Sequence, residues 1–145
     1  MTTMKEKMLE VFKSLGFEME EKDECCYGFQ YEGKHYLYLY NDRDESFLNI
    51  ALPAVLDRDN EDDLSFYKVM NKMNSSMKYL KAYVVDDGMW LFCERELMGD
   101  EDLRQCVVRM IHCLETGVNL LISLVDDSDK DSGDEKDAEE EGSEK

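Results

Sequence analysis

Histidine and cysteine are the side chains in this sequence best suited to catalysis or metal binding near neutral pH. The chain has two histidines, His35 and His112, and five cysteines, at positions 25, 26, 93, 106 and 113. Neither histidine lies in a catalytic signature, and the cysteines lack the Cys-x-x-Cys spacing of zinc sites. Glycine-rich phosphate loops and the G-x-S-x-G nucleophile elbow are also missing. The sequence therefore predicts no catalytic residue, no metal site, no cofactor and no enzyme.

The acidic C-terminal segment contains one further pattern that resembles a ligand set. Alternating aspartates from Asp127 to Asp131 match the first half of an EF-hand calcium loop. The sixth position of such a loop would be Ser132 rather than Gly, and the twelfth would be Ala138 rather than Glu. Because the pattern fails at both diagnostic positions, we interpret residues 126–145 as a solvated, disordered acidic tail.

The charge of the chain is strongly negative and uneven. There are 35 Asp and Glu against 17 Lys and Arg, so the formal net charge is -18 over 145 residues. Residues 126–145 contain 11 acids and 3 bases and hold -8, which leaves -10 on residues 1–125, the predicted single domain. Nucleic acids and anionic lipid surfaces attract clustered Lys and Arg, so neither is an expected partner. No signal peptide or membrane span is predicted, and the odd number of cysteines favours free thiols in the cytoplasm.

Hydrophobic periodicity and turn residues predict the elements that must position these side chains. Thr3-x-x-Glu6 is a capping box before an amphipathic helix, and Glu32-Gly33 and Asp87-Gly88 mark hairpin turns. The predicted fold class is α+β, in the order α-β-β-β-α-β-β-α, with a twisted antiparallel sheet and helices packed mainly on one face. The predicted helices span about 3–15, 61–77 and 100–125, and the strands about 25–31, 34–40, 47–55, 81–85 and 89–96.

The first hairpin separates the side chains into two faces. A two-residue turn at Glu32-Gly33 pairs Phe29 with Tyr36, and opposed residues share a face. The aromatic residues then lie together on one face, which we expect to pack beneath the first and third helices. The other face carries a candidate partner-binding patch of Cys26, Leu37, Leu39 and Phe47. Coverage of that patch by a partner subunit or by the second helix is the alternative.

The turn residues predict the register of the second hairpin, and the third helix suggests how subunits meet. With Asp87-Gly88 as the turn, Tyr83 would oppose Phe92. The third helix is apolar nearly all round, which is typical of a helix buried on two sides. The candidate dimer contact on it consists of Ile111, Leu114, Val118 and Leu121. The second helix is the alternative contact, and Gly117 would permit a close backbone approach.

Four local strings carry a family resemblance: Phe29-x-Tyr31-Glu32-Gly33, Leu48-x-Ile50-x-Leu52-Pro53, Met70-Asn71-x-x-Asn74 and Asp86-Asp87-Gly88. Over residues 4–125 the chain resembles the bacterial type III secretion chaperone-like superfamily, including its YbjN-type and Tir-chaperone-like families. The resemblance implies a twisted antiparallel sheet with helices on one face, usually in a homodimer. It also implies a cytoplasmic, non-enzymatic protein that holds an extended client segment against apolar patches.

Two hypotheses for function follow. The first is a dimeric protein-binding module that docks a client segment on an apolar patch or adds a strand to a sheet edge. The second is an acidic inhibitor or immunity-type protein that covers a basic partner electrostatically. A pocket holding His35 or His112 beside a carboxylate with a strongly shifted pKa would favour an enzyme instead.

Overall fold

The order of helices and strands confirms the predicted α+β class and adds one strand. The structure is a computed structural model that describes residues 3–58 and 62–142, with side chains described as far as Asp127. The elements within these residues are α1 (Met4–Ser14), β1 (Glu20–Asp23), β2 (Cys26–Tyr31), β3 (Lys34–Leu39), β4 (Phe47–Asp57), α2 (Asp63–Ser76), β5 (Leu80–Val85), β6 (Gly88–Glu96) and α3 (Leu103–Gly142). The added strand is β1. The predicted start of the second helix, Glu61, lies outside the described residues.

The described strands form one antiparallel sheet in the order β1-β2-β3-β4-β6-β5. In the first hairpin Phe29 pairs with Tyr36 and Tyr31 with Lys34, as predicted. Glu32 and Gly33 have φ values of 50° and 79°, which two-residue turns of the I′ type require. The turn therefore sets the register, and the register sets which residues share each face.

The second hairpin has the predicted faces but a register displaced by two residues. Tyr83 pairs with Trp90 rather than with Phe92. The two turn residues are Asp86, with φ of 55°, and Asp87, so Gly88 already belongs to β6. A displacement by two keeps every side chain on its face because side chains alternate along a strand. The prediction was wrong because Asp86 adopts the left-handed conformation expected of glycine.

The core lies between the helices and the aromatic face of the sheet. Helix α1 begins at the predicted cap, where the Glu6 backbone N–H donates to Thr3 Oγ1 at 3.1 Å. Its Phe12 ring lies 5.0 Å from Phe29 and 5.2 Å from Tyr38, measured between centroids. All three helices contribute to one buried cluster with this face, including Met8, Phe12, Tyr27, Phe29, Tyr36, Tyr38, Leu48, Ile50, Phe66, Met73, Leu91, Leu114 and Leu121.

Helix α3 is long, and its first part is a core element. Leu103–Asp127 could cross a membrane by length and composition alone. Here it packs on β4, β5 and β6, and a core helix passes the same test. The helical backbone continues to Gly142, whereas the sequence predicts a disordered tail over 126–145. Residues 143–145 lie outside the described part of the chain, and the domain boundary at residue 125 stays a prediction.

Candidate functional site

The face of the sheet opposite the core contains the predicted patch. Leu37 pairs with Ala51 and Leu39 with Asn49, so strands β3 and β4 bring the patch residues side by side. Leu37 and Leu39 are half-buried, and the Phe47 side chain is 42% exposed. The buried residues of α1, α2 and α3 all belong to the core on the other face. The buried side chains of α2 therefore do not cover the patch, and coverage by a partner subunit, the other alternative considered from the sequence, stays a prediction.

Three stacked aromatic rings extend this apolar surface across β6 and β5. The rings of Tyr83 and Phe92 lie 4.4 Å apart at an angle of 6°, and Trp90 stacks on Phe92 at 6.0 Å. Phe92 pairs with Ala51, which joins the rings to Leu37 in the row across the sheet. We call the surface formed by Cys26, Leu37, Leu39, Phe47, Tyr83 and Trp90, together with the buried Phe92 ring on which Tyr83 and Trp90 stack, the open-face patch.

Two grooves border the open-face patch. The larger, of about 860 Å³, includes Lys22, Gly28, His35 and Leu37 in its lining. Its polar rim contains an ion pair in which Lys22 Nζ lies 3.2 Å from a Glu20 carboxylate oxygen. Both grooves offer apolar floor beside polar groups, which is typical of sites that bind a segment of another molecule.

The second groove, of about 320 Å³, includes Leu39, Phe47 and Glu94 in its lining. At its border the Lys81 ammonium lies 3.4 Å from Glu94. Cys26 lies nearby in the patch, and burial, together with the charge of Asp23, raises the pKa of its thiol. The thiol therefore stays neutral at pH 7 and behaves as a small apolar side chain.

Side chains at both edges of the sheet hinder pairing with a further strand. At the β5 edge, Asn74 of α2 donates from Nδ2 to the Ala82 carbonyl at 2.9 Å, and the Ala82 N–H donates to Asn74 Oδ1 at 2.7 Å. The amide thus occupies two of the backbone groups that an added strand would use. At the other edge, all four residues of β1 are charged and exposed. Charged edge strands resist pairing with other chains.

The two histidines lie in different places. His35 is exposed on β3, on the same face as Leu37, and it lines the larger groove. His112 lines a cavity of about 300 Å³ with Tyr31 and Glu115. Burial, and then a hydrogen bond with Glu32, raises the pKa of Glu115. Glu32 is exposed and Glu115 is half-buried, so this pair is better suited to fastening the first hairpin to α3 than to catalysis.

The candidate dimer contact lies mostly inside the subunit. Ile111, Leu114 and Leu121 are buried in the core, and Val118 is half-buried. The exposed apolar side chains elsewhere on the helices are Val108, Ile122, Leu64 and Tyr67. A single chain does not test a dimer, so the contact stays a prediction. Within the described residues, no group of three or more His, Cys, Asp or Glu side chains has metal-site geometry.

The fold places the chain in a structural class. The sheet is antiparallel, and the described helices pack on one side of it. YbjN and the type III secretion chaperone SycH have the same fold, which confirms the resemblance read from the sequence at the level of the fold.

Three solved structures illustrate the similarity. YbjN from E. coli, named as a candidate transcription regulator, has a TM-score of 0.58 at 10% identity and covers 84% of this chain and 91% of its own. An uncharacterized protein of Methanothermobacter thermautotrophicus has a TM-score of 0.59 at 12% identity, with 85% and 97% covered. The type III secretion chaperone SycH of Yersinia pestis, in complex with a stable fragment of YscM2, has a TM-score of 0.54 at 16% identity, with 81% and 99% covered. The sequence matches no protein-family profile and no curated protein.

Proposed function

We propose that the chain is a non-enzymatic protein-binding module that holds a client segment on the open-face patch. The observation that carries the proposal is the sheet face that bears half-exposed aliphatic and stacked aromatic side chains while the helices pack on the other face. Aromatic side chains are the commonest anchors of protein interfaces. The neighbour SycH, which has this fold, is a chaperone in complex with a protein fragment, and this supports a protein as the partner.

Capture on the face is a better mechanism than addition of a strand. The Asn74 amide already bonds Ala82 at the β5 edge, and the charges of β1 protect the opposite edge. A client that added a strand would have to displace two hydrogen bonds or pair with a fully charged strand. A client on the open face would instead bury Leu37, Leu39 and Phe47, which removes apolar surface from water.

Affinity capture from native cells followed by binding of the purified client tests the proposal. Phe47→Glu places a charge in the open-face patch, and Met98→Glu is the matched control because Met98 is 78% exposed outside the patch. We expect Phe47→Glu to weaken client binding about tenfold or more, as loss of a central apolar anchor does. Equal affinities of the two variants, or NMR signals of Leu37 and Leu39 that a bound client leaves unchanged, would contradict the patch assignment.

The alternative function is an acidic inhibitor or immunity-type protein with a basic partner. The net charge of -10 on residues 1–125 favours it, because a negative field accelerates and strengthens association with a positive surface. Salt separates the two functions. Binding that collapses as salt rises toward about half molar indicates charge pairing, whereas binding that persists indicates apolar capture.

A cytoplasmic homodimer is part of the proposal. Candidate contact surfaces are α2, where Leu64 and Tyr67 are exposed, and the second half of α3, where Ile122 is exposed. Sedimentation at micromolar concentration is expected to give twice the chain mass of 17.0 kDa. A stable monomer would overturn the dimer without affecting the assignment of the open-face patch.

A further inference from the structure

Two cysteines that are distant in the sequence meet in the interior. Cys93 lies in the middle of β6, and Cys113 lies on the part of α3 that packs over this strand. Both thiols are free, and each shifts the pKa of the other. A second contact holds Cys113, because its Sγ lies 3.8 Å from the carbonyl oxygen of Lys78 in the connection between α2 and β5.

Gly117 explains why α3 comes so close to the sheet at this point. A Cβ atom at Gly117 would lie 3.2 Å from Cδ1 of Leu80 and 3.2 Å from Cδ1 of Leu91, which is tighter than ordinary packing. Leu80 is the β5 partner of Cys93. The glycine therefore lets the helix rest on the second hairpin, and Cys113, one turn earlier, is held against Cys93.

The two thiols differ in a way that suits sequential oxidation. Cys113 is half-buried and can be reached by a small oxidant, whereas Cys93 is 2% exposed. The Cys93 hydrogen bond lowers the pKa of Cys113, and the same bond, together with burial, raises the pKa of Cys93. The thiolate is the reactive form of cysteine, and redox-active cysteines are commonly accessible and placed beside a second cysteine that resolves them.

We propose that Cys113 and Cys93 form a dithiol site that a hydroperoxide oxidises to a disulfide between α3 and β6. The Cys113 thiolate attacks one peroxide oxygen, the O–O bond breaks, and the products are a sulfenic acid on Cys113 and hydroxide, or an alkoxide when the peroxide is organic. The Cys93 thiol then attacks the sulfenic sulfur, an S–S bond forms, and the sulfenic oxygen leaves as water. The two thiols lose two electrons in total, and these reduce the peroxide. A dithiol such as thioredoxin reverses the step by exchange.

The site is independent of the proposed client binding, because it lies on the core side of the sheet. The other cysteines lie in different surroundings from Cys93 and Cys113, so they provide internal controls. Cys106 is buried on α3, and Cys25 is exposed in the connection before β2. Trypsin releases Cys93 and Cys113 on separate peptides, residues 82–95 and 110–130, and Cys106 on a third, residues 105–109.

The test treats the full reduced chain with hydrogen peroxide, blocks remaining thiols by alkylation, and maps peptides by mass spectrometry without reduction. The proposal expects a linked peptide of residues 82–95 and 110–130 that is lighter by two hydrogens than the sum and disappears after reduction. Linkage through Cys25 or Cys106 instead, or irreversible oxidation of Cys113 with no link, would overturn the proposal.

Variants distinguish the thiol that peroxide oxidises, Cys113, from the thiol that resolves the sulfenic acid, Cys93. In Cys93→Ala, peroxide should leave a sulfenic acid on Cys113 that dimedone traps, because the resolving thiol is gone. In Cys113→Ser, Cys93 should resist alkylation and peroxide. Cys106→Ala, a matched buried control on the same helix, should form the link at the wild-type rate. Circular dichroism confirms that each variant is folded, and dimedone labelling of the wild type that equals Cys93→Ala would contradict the resolving role.

Discussion

Replacement of Asn74 by alanine tests whether the Asn74 side chain stabilises and protects the β5 edge of the sheet. The side-chain amide makes two hydrogen bonds to the Ala82 backbone, at 2.9 and 2.7 Å, in a part-buried setting. Each bond of this kind contributes about 1 kcal/mol to stability, so the loss is about 2 kcal/mol. Alanine regains about 0.6 kcal/mol through its higher helix propensity. We therefore expect Asn74→Ala to lower the free energy of unfolding by about 1.5 kcal/mol, after subtraction of that gain.

Chemical denaturation followed by circular dichroism measures this change. The matched control is Asn71→Ala, because Asn71 is exposed on the same helix, one turn earlier. The control gains the helix propensity without losing the bonds, so the two variants should differ by about 2 kcal/mol. Surface substitutions usually change the free energy of unfolding by no more than about 0.5 kcal/mol. If the free energies of the two variants differ by no more than that, the Asn74 contact with Ala82 does not stabilise the fold.

The same substitution has a second expected effect, on association. Without the amide, the N–H and C=O of Ala82 are available to a strand from another chain. We expect Asn74→Ala to form larger species than Asn71→Ala in sedimentation at equal concentration. Identical sedimentation of the two variants would show that the free edge does not recruit another strand.

Three further predictions concern packing and charge. Gly117→Val should destabilise the fold by about 1–3 kcal/mol in denaturant titration, because the added methyl groups overlap the leucines beneath α3. For Glu115, the raised pKa means that the native state binds the extra proton, so its contribution to stability falls as pH rises through that pKa. Glu115→Gln can donate to Glu32 at any pH, so its gain in melting temperature over wild type should grow as pH rises above 4.5, the ordinary pKa of this side chain. Asp62→Ala removes the N-cap of α2, where hydrogen bonds lower the pKa of Asp62. The variant should therefore melt at a lower temperature than wild type at pH 7, and this difference should shrink as pH falls below 3.8.

Local signals in the sequence predicted much of the sheet. The turn at Glu32-Gly33 fixed the first register because a two-residue turn leaves one pairing of the flanking strands. Alternation then assigned Leu37 and Leu39 to the face opposite the core. Strand β1 could not be predicted in this way, because its four residues are all charged and it is held by backbone pairing with β2. Hydrophobic periodicity carries no signal for such a strand.

Contacts between distant elements account for the features that sequence reasoning missed. The aromatic part of the open-face patch joins Leu37 only through the pairing of β4 with β6, although alternation already placed Tyr83, Trp90 and Phe92 on one face. Asn74 meets Ala82 through the fold of α2 against the sheet edge. Such contacts depend on tertiary packing, so neither propensity nor spacing reveals them.

The pairing of β4 with β6 has a consequence for how the chain folds. Each hairpin is closed by a two-residue turn and needs little loop closure, so both can form in microseconds. The pairing of Ile50 with Cys93 instead closes a loop of about 40 residues, whose entropy must be lost before the contacts form. The two hairpins are therefore expected to assemble first, and their union at β4 and β6 sets the folding rate. Substitutions along that pairing should slow folding more than substitutions at the outer strand β1.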